Sequence, residues 1–495
     1  MDNANQRRPP MSPILSSLLI FSLLRPLCAA EFNYASFESI RDAQNHGQVP
    51  VVGKVVPVQY RMVPGPAAED PDEPPNLKKE QVVSLLDQMI VMLEKNPSLP
   101  EPTEDQLQRL IRGLVLIDTK FVDPISTQRW DEIIQSMTDI ARREYVPGQN
   151  WDTIIDHMLQ KAVHALKEPH SAYLDPEQAK DFTEDSSGKF SGIGVEGDTH
   201  PLGMRLEFVY PDSSARRAGL RGNDVISWVD GRDVKGLRVD KIVELLRGPA
   251  GAGVRIKVIR NGRLMGPVKI MREEIEIPNA FKKMASPTIG YIYFSEFREE
   301  TDKQVFKLIG ELRAQGARGI VLDVRGNPGG YVPTVASITS EFLRDGDEIV
   351  SFKHQGQVAE KAVTQGDGKF ADVPVVVLVD GDSASASEIL SGALQDKRRR
   401  YTVIGSRSYG KGTQQVIMDQ GDGRMIKITE NRWHTPNDRN IDARHDPKTG
   451  EEIPGTGGIV PDIIVPVPSE QAAKIAKDIR LELFGRPIPR PRTPD

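Results

Sequence analysis

The sequence predicts a multidomain α+β protein, and three stretches of its 495 residues carry that prediction. Residues 78–166 repeat apolar side chains at the i, i+3, i+4 spacing of amphipathic helices. Residues 187–276 hold short alternating segments punctuated by glycine, which is typical of β-strands joined by tight turns. From residue 277 onward, buried strand-like runs alternate with amphipathic helical segments, as in an α/β domain.

Changes in composition place the boundaries of these parts. Residues 79–186 are predicted to form an N-terminal helical region, 187–276 a small β-rich domain, and 277–468 the α/β domain. The preceding stretch, 31–78, is rich in proline and acidic residues and is predicted to be an irregular linker. Residues 469–495 are predicted to form a C-terminal helix and a disordered tail rich in proline and arginine.

The first 30 residues have the pattern of a secretory signal peptide. Arg7 and Arg8 precede an apolar stretch from Met11 to Leu24, and Cys28-Ala29-Ala30 supplies the small residues of a cleavage site before Glu31. We therefore expect an exported protein. The alternative is an uncleaved N-terminal membrane anchor, although the apolar stretch is short for a bilayer span.

Composition excludes several classes of function. The net charge of -6 gives no reason to expect nucleic-acid binding. Cys28 is the only cysteine, so a mature chain beginning at Glu31 has no disulfide, cysteine nucleophile or thiolate metal site. The eight histidines form no zinc-binding spacing. We therefore expect a globular protein without a metal or cofactor.

A serine cluster followed by a glycine-flanked lysine is the most informative local pattern. Residues 380–388 read Asp-Gly-Asp-Ser-Ala-Ser-Ala-Ser-Glu between a buried strand-like run and a helical segment, and Gly410-Lys411-Gly412 follows. At such a turn Ser385 lies at a helix N-terminus, where backbone N–H groups stabilise negative charge. A neutral lysine could accept its proton, as in Ser-Lys nucleophilic catalysis. Taken alone, Ser385 and Glu388 also fit a capping box, which is the commoner role.

A second turn points to the same place. The buried strand-like run Ile320–Val324 leads into a glycine-rich turn, Arg325–Gly330. If the strands ending at Val324 and Val379 are neighbours, both turns lie at one edge of the sheet, where α/β proteins place their sites. The Gly329-Gly330 pair then offers backbone N–H groups beside the serine.

The β-rich part resembles a PDZ domain. Its block from Ala218 to Ile226, Ala-Gly-Leu-Arg-Gly-Asn-Asp-Val-Ile, is fairly specific, and Asn261-Gly262 predicts a type I′ hairpin turn. The resemblance implies that a peptide C-terminus binds at a carboxylate loop and that the peptide adds as a strand beside a helix. The residues assigned to this role are Gly192, Ile193, Gly194, Val195, Ile242 and Leu246. The plainer alternative for the glycines is a turn before a strand.

Seven blocks, in the expected order over about residues 105–465, resemble the carboxyl-terminal processing peptidase family, secreted serine proteases with a PDZ domain and a Ser-Lys pair. No single block would suffice, but the set outweighs the capping interpretation of Ser385. One departure is that Glu168 replaces the aspartate usual before Pro-His-Ser. The blocks are Glu168–Leu174, Phe190–Gly194, Leu246–Pro249, Leu322–Gly330, Ser383–Ile389, Gly410–Thr413 and Gly457–Asp462.

The resemblance implies a crotonase/ClpP-like α/β protease domain and assigns catalytic roles by position. Ser385 would be the nucleophile, Lys411 the general base, and Gln415 a residue that helps to orient the lysine. Backbone N–H groups of Ala386 and of the Gly329-Gly330 turn would form the oxyanion hole.

Supporting residues follow from the same match. Glu388 and Asp396 match family positions with supporting roles, whereas Ser383 and Ser387 are expected only to pack or cap. Lys411 is expected to be buried, without a direct salt bridge to either carboxylate, because burial among apolar groups lowers the pKa of a lysine.

The resulting prediction is an exported serine endopeptidase, in the periplasm or cell envelope, that recognises the C-terminal tail of protein substrates and cleaves through an acyl-enzyme. The resemblance leaves room for an adaptor protein and a homo-oligomer, but not for nucleic acid. The alternative is a non-catalytic PDZ scaffold, which predicts loss of Ser385 or Lys411, and both are present. A crotonase-like thioester enzyme would share the glycine-rich turn but explains neither the PDZ block nor the export signal.

Overall fold

The computed structural model describes residues 60–65, 77–95, 101–144, 150–398, 400–443, 453, 456–467, 471, 474, 475, 478 and 479. The predicted signal peptide, most of the predicted linker and nearly all of the predicted C-terminal segment lie outside these residues. Among the helices that are described, none combines the length and the apolar character needed to span a bilayer.

Helices occupy much of the N-terminal part of the described chain and recur later. They are α1 (Lys79–Lys95), α2 (Glu104–Lys120), α3 (Thr127–Glu144), α4 (Trp151–His164), α5 (Pro176–Ser187), α6 (Ser214–Arg217), α7 (Val239–Leu246), α8 (Thr301–Ala314), α9 (Val332–Ser340) and α10 (Ala386–Lys397). Polar side chains satisfy the first N–H groups of some of them. Thr103 and Gln106 form a capping box at α2, and Asn150 accepts from the Thr153 N–H at α4.

Strands make up a share of the described chain that is similar to that of the helices. They are β1 (Tyr60–Pro64), β2 (Ala172–Leu174), β3 (Lys189–Gly192), β4 (Val195–His200), β5 (Gly203–Val209), β6 (Val225–Val229), β7 (Arg232–Asp233), β8 (Gly253–Arg260), β9 (Arg263–Met271), β10 (Glu273–Glu276), β11 (Ala280–Ser286), β12 (Ile289–Phe294), β13 (Gly319–Asp323), β14 (Glu348–His354), β15 (Gln357–Thr364), β16 (Val375–Val379), β17 (Tyr401–Gly405), β18 (Thr413–Gly421), β19 (Arg424–His434) and β20 (Ile463–Ile464).

The chain divides into two compact units, and the first joins the N-terminal helices to strands from much later in the sequence. It contains the described residues up to 180 together with 351–362 and 413–434. Its sheet has the order β1-β15-β14-β19-β18, and β2 pairs with β19. Ile426 and Ile428 of β19 are fully buried in one hydrophobic core with side chains of α1 to α4. The late strands therefore complete the core of the helical region.

The second unit contains the β-rich domain that resembles a PDZ domain, and its sheet has the order β4-β5-β6-β8-β9. The β8–β9 hairpin turns at Asn261-Gly262, where both residues have positive φ, as the predicted type I′ turn requires. The helix α7 packs against β4 and β5. Among the described strands β4 lies at the end of the order, so one of its edges has no strand partner there and could accept an added strand.

The second unit also contains a six-stranded sheet with the order β11-β12-β13-β16-β17-β20. The strands from β12 to β20 pair in parallel, and α8 crosses over between β12 and β13. Ile320 pairs with Val375, so β13 and β16 are neighbours. The expectation that the turns after Val324 and Val379 share one sheet edge is therefore confirmed.

Two sequence-based expectations differ from the structure. Residues 60–64 lie in the predicted irregular linker, yet they form β1, which pairs with β15; the linker prediction is wrong there. Residues 351–362 and 413–434 were assigned to the α/β domain by their position in the sequence, but they pack with the N-terminal helices. Both features depend on pairing between segments that are hundreds of residues apart, so no local sequence pattern predicts them.

Candidate active site

Ser385 lies at the junction where the loop after β16 enters α10. Its backbone has φ 55° and ψ −113°, a combination that non-glycine residues rarely adopt and that is held only by its surroundings. Ser385 is half-buried, while Ser383 and Ser387 on either side are fully buried. Of the three serines, Ser385 is therefore the one that solvent or a substrate can reach.

The two neighbouring serines hold the serine turn against the glycine-rich turn. The Ser383 hydroxyl donates to the carbonyl oxygen of Val324 at 2.8 Å, and the Ser387 hydroxyl donates to that of Asn327 at 2.9 Å. Both acceptors lie at the end of β13 or just beyond it. The structure thus places Ser383 and Ser387 in packing roles between the two turns.

Gly329 brings the backbone of the second turn directly against Ser385. A Cβ built on Gly329 would lie 2.7 Å from the Ser385 Cβ and 2.8 Å from the Ala384 carbonyl oxygen, and Gly329 has φ +109°. Only glycine satisfies both conditions. The turn is fixed from its other side, since the Phe297 N–H donates to the Gly329 carbonyl oxygen at 2.8 Å.

The predicted oxyanion donors are not equivalent. The Gly329 N–H already donates to the Asn327 Oδ1 at 2.9 Å. Within the part of the chain that the structure describes, the N–H groups of Gly330 and Ala386 have no hydrogen-bond acceptor. These two amides are consequently the better candidates to stabilise an oxyanion, and the role itself stays a prediction.

Glu388 binds the backbone of the serine turn and the backbone of the lysine loop with one carboxylate. The carboxylate accepts from the N–H groups of Ser385 at 2.8 Å, Gly410 at 2.7 Å and Lys411 at 2.9 Å. It also accepts from the Ser408 hydroxyl at 2.6 Å. Glu388 is fully buried, and this burial raises the pKa of its carboxyl although the four donors oppose the rise.

Lys411, whose backbone N–H donates to Glu388, lies in the loop before β18. It is half-buried, and the expectation that it is buried in the active form stays a prediction. The expectation that it forms no direct salt bridge to Glu388 or Asp396 stays a prediction. Asp396 itself binds elsewhere, because its carboxylate accepts from Arg439 Nη2 at 2.5 Å and from the Asn437 N–H at 2.9 Å.

Gln415 lies on β18, in the first unit. Its Nε2 donates to the Thr413 Oγ1 at 2.9 Å and to the Thr429 Oγ1 at 3.0 Å. Its role toward Lys411 stays a prediction from the family resemblance.

The PDZ residues predicted to bind a peptide fall into two groups. Gly192 ends β3, Val195 begins β4, and Gly194 between them has φ +80°, so the loop lies at the open edge of the sheet. Ile242 and Leu246, by contrast, are 0% and 3% exposed in the PDZ core. Their burial shows that they help to pack α7 onto the sheet, and their contact with a peptide stays a prediction.

Two residues that shape the candidate site were missed by sequence reasoning. Ser408 connects Glu388 to the chain beyond it, because its hydroxyl oxygen also accepts from the Ile459 N–H at 2.6 Å. Asn327 shapes the glycine-rich turn through Gly329 and donates to the Phe294 carbonyl oxygen at 3.0 Å. Asn327 stands inside a recognised block and could have been found there, whereas Ser408 carries no local signal.

Comparison with known proteins identifies the family. A profile of peptidase family S41 matches residues 288–465, and a PDZ-domain profile matches residues 208–260. The carboxy-terminal-processing protease of Bartonella bacilliformis is 34% identical over 344 residues, which cover 68% of this chain and 74% of that protein. This chain belongs to the carboxy-terminal-processing proteases of family S41. It is a serine-type peptidase with a PDZ domain.

Other relatives of this S41 protease agree. Carboxy-terminal processing protease CtpB of Bacillus subtilis is 34% identical over 316 residues, 61% of this chain and 64% of CtpB. A probable CtpA-like serine protease of Staphylococcus aureus is 32% identical over 71% of this chain and 68% of its own length. Among solved structures, a photosystem II D1 C-terminal processing protease aligns at 24% identity and a TM-score of 0.44, over 76% of this chain and 97% of that one.

Proposed function

We propose that this S41 protease is an exported endopeptidase that cleaves protein substrates near their C-terminal tails through an acyl-enzyme on Ser385, with Lys411 as general base. The observation that carries the proposal is the Glu388 clamp. One buried carboxylate binds the backbone N–H groups of both Ser385 and Lys411, so the strained serine turn and the lysine loop are held to a common point. A helix cap alone would not require the second contact.

The chemistry proposed for these residues is an acyl transfer in two steps. Neutral Lys411 takes the hydroxyl proton of Ser385 as its Oγ attacks the peptide carbonyl carbon. The carbonyl oxygen becomes an oxyanion, for which the Gly330 and Ala386 N–H groups are the proposed donors. The lysine then gives the proton to the leaving amine. In the second step Lys411 takes a proton from water, which attacks the ester carbon, and the proton is returned to the Ser385 oxygen as the acid leaves. Losing one oxyanion donor typically costs ~100- to 1000-fold in kcat.

Substrate recognition is proposed for the PDZ domain. Its strand β4 has an open edge beside α7, and the loop from Gly192 to Val195 stands at the start of that edge. An extended peptide can add there as a further strand, with backbone N–H groups of the loop facing its terminal carboxylate. Several relatives are named as processing proteases for carboxyl termini, which agrees with this mode of binding.

The test of the mechanism compares two serine variants on an unstructured substrate, casein. Ser385→Ala should abolish cleavage, because no other hydroxyl can replace the nucleophile. Ser383→Ala is the matched control: it removes a buried bond to Val324, so it should lower stability by about 1 kcal/mol and keep most of the activity. Equal cleavage by Ser385→Ala and the wild type would show that the proposed mechanism is wrong.

The general-base role of Lys411 is tested separately by the pH dependence of the activity. A lysine that must be neutral loses function when it is protonated, so activity should fall steadily on acidification. A rate that stays constant down to about pH 4, near the ordinary pKa of a carboxyl group, would point to a different base.

Export, an adaptor protein and a homo-oligomer are further parts of the proposal. N-terminal sequencing of the protein purified from its own cells should find Glu31 as the first residue if the signal is cleaved. An intact N-terminus in the membrane fraction would instead support the anchor. A pulldown with Ser385→Ala would identify trapped substrates and any adaptor, and sedimentation of the same protein would give its oligomeric state.

A further inference from the structure

A chain of hydrogen bonds in the first unit leads from Glu168 to the side-chain amide of Gln415. The Glu168 Oε2 lies 2.7 Å from the Thr429 hydroxyl and 2.6 Å from the Ser171 hydroxyl. The Thr429 hydroxyl oxygen in turn lies 3.0 Å from Gln415 Nε2. Thr429 is fully buried, so its hydroxyl has no bulk water with which to exchange these bonds. Glu168 belongs to a block that the mechanism above does not use.

The direction of each proton in this chain is set by the carboxylate. An ionised carboxylate only accepts hydrogen bonds, and a hydroxyl has a single proton to give. The Thr429 proton therefore goes to Glu168, and the Thr429 oxygen is left to accept. Only the NH₂ end of Gln415 can donate to it. The second hydrogen of this NH₂ is used as well, because Nε2 also contacts the Thr413 hydroxyl at 2.9 Å.

The same reasoning fixes which way the Gln415 amide faces. Both amide hydrogens are directed at threonine hydroxyls, so the Oε1 end, which only accepts, is turned away from them. The two ends of an amide have nearly the same shape, and the hydrogen-bond network decides between the two orientations. Without a charged acceptor at position 168, the Thr429 proton could turn toward Gln415, and the opposite orientation of the amide would be equally satisfied.

We propose that Glu168 is a positioning residue that holds the Gln415 amide in one orientation through the Thr429 hydroxyl. This inference rests on the proposed role of Gln415 in orienting the general base. The carboxylate is itself well fixed. The His170 N–H donates to both of its oxygens at 3.1 and 3.2 Å.

The test is a double-mutant cycle measured as kcat and KM for casein cleavage. Glu168→Gln keeps the size of the side chain but allows the network to reverse. We expect kcat to fall about 10- to 100-fold, the range spanned by a lost charge-assisted hydrogen bond, with little change in KM. In a Gln415→Ala background the same substitution should change kcat less than about twofold, because the orientation it controls no longer matters.

Three further variants separate positioning from general damage. Glu168→Asp restores a carboxylate and should recover most of the lost kcat. Glu430→Gln is the matched control: it removes the charge of a glutamate next to Thr429 that pairs with Lys120 at 2.8 Å, and it should leave kcat unchanged. If Glu168→Gln does not fold, Thr429→Val removes only the hydroxyl from the chain and should give the same non-additive loss.

Two results would overturn the inference. One is a Glu168→Gln enzyme with wild-type kcat. The other is a loss of the same size in the presence and in the absence of Gln415, which would mean that Glu168 acts independently. Both are distinct from failure of the proposed function, which Ser385→Ala reports in the same assay: an enzyme that depends on Ser385 but shows additive effects refutes only the role of Glu168.

Discussion

Replacing Glu388 by alanine should damage both stability and catalysis, because its carboxylate has four donors and no contact with solvent. The substitution leaves the N–H groups of Ser385, Gly410 and Lys411 without their acceptor. Each buried donor left unpaired costs about 1–3 kcal/mol. The Ser408 hydroxyl can turn to another acceptor, and removing a buried charge returns part of the loss. We expect a net destabilisation of about 3–5 kcal/mol, as found when one partner of a buried ionic contact is removed.

This destabilisation converts into a measurable change in Tm. At about 2–4 °C per kcal/mol for a domain of this size, Glu388→Ala should lower Tm by roughly 6–20 °C. Casein cleavage should fall by at least ~100-fold even well below the new Tm, because a shift of about 1 Å between reacting groups has that effect. Thermal unfolding followed by circular dichroism and initial rates of cleavage measure the two effects.

Asp382→Ala is the matched control, since it removes an exposed carboxylate from the same run of residues and should change neither quantity. A Glu388→Ala protein with a Tm within about 2 °C of the wild type would refute the reasoning, because three backbone N–H groups cannot lose their shared acceptor at so small a cost. Normal Tm combined with normal cleavage would further show that the serine turn and the lysine loop are held by other contacts.

Three more predictions follow from the described contacts. Burial raises the pKa of Glu388 above that of an unfolded glutamate, so its protonation adds stability to the fold. This contribution is complete below about pH 4.3 and disappears as the pH rises through the raised pKa. Glu388→Gln cannot titrate, so the Tm of the wild type minus that of Glu388→Gln should grow on acidification. Gly329→Ala should cut kcat ~100-fold or more, because the added methyl group would collide with Ser385 and displace it. Gly326→Ala is the control: open space surrounds Gly326, so this substitution should lower only stability. Thr103→Ala should lower stability by about 1 kcal/mol without affecting cleavage.

Much of the fold could be predicted where the deciding interactions are local. The Asn261-Gly262 turn, the buried strand predicted at Ile320–Val324 and the shared sheet edge after Val324 and Val379 each follow from short patterns, and each is present. Such patterns encode backbone conformation and burial within a few residues. The strand β1 could not be found in this way, because its proline-flanked sequence forms a strand only when β15 supplies the hydrogen bonds.

In the candidate site too, local patterns identify some residues and tertiary contacts place the others. Ser385 and Lys411 could be named because family blocks surround them. Ser408 could not, since its position beside Glu388 depends on how the loop between β17 and β18 packs against α10. Ile242 was assigned to peptide binding by the PDZ resemblance. The structure shows that it packs in the hydrophobic core of that domain, and its role toward a peptide stays a prediction.

The late strands of the first unit have a consequence for how the chain is made. Lys120 and Glu430 form an ion pair across 310 residues, and the Val122 N–H donates to the Thr429 carbonyl oxygen. At about 5–20 residues per second, a ribosome needs roughly 15–60 s between these segments. Throughout that interval the apolar faces of α2 and α4 stay exposed because β19 has not been made, and exposed apolar surface promotes aggregation. Newly made chains should therefore depend on a holding chaperone, and a chain ending before residue 413 should stay bound to one.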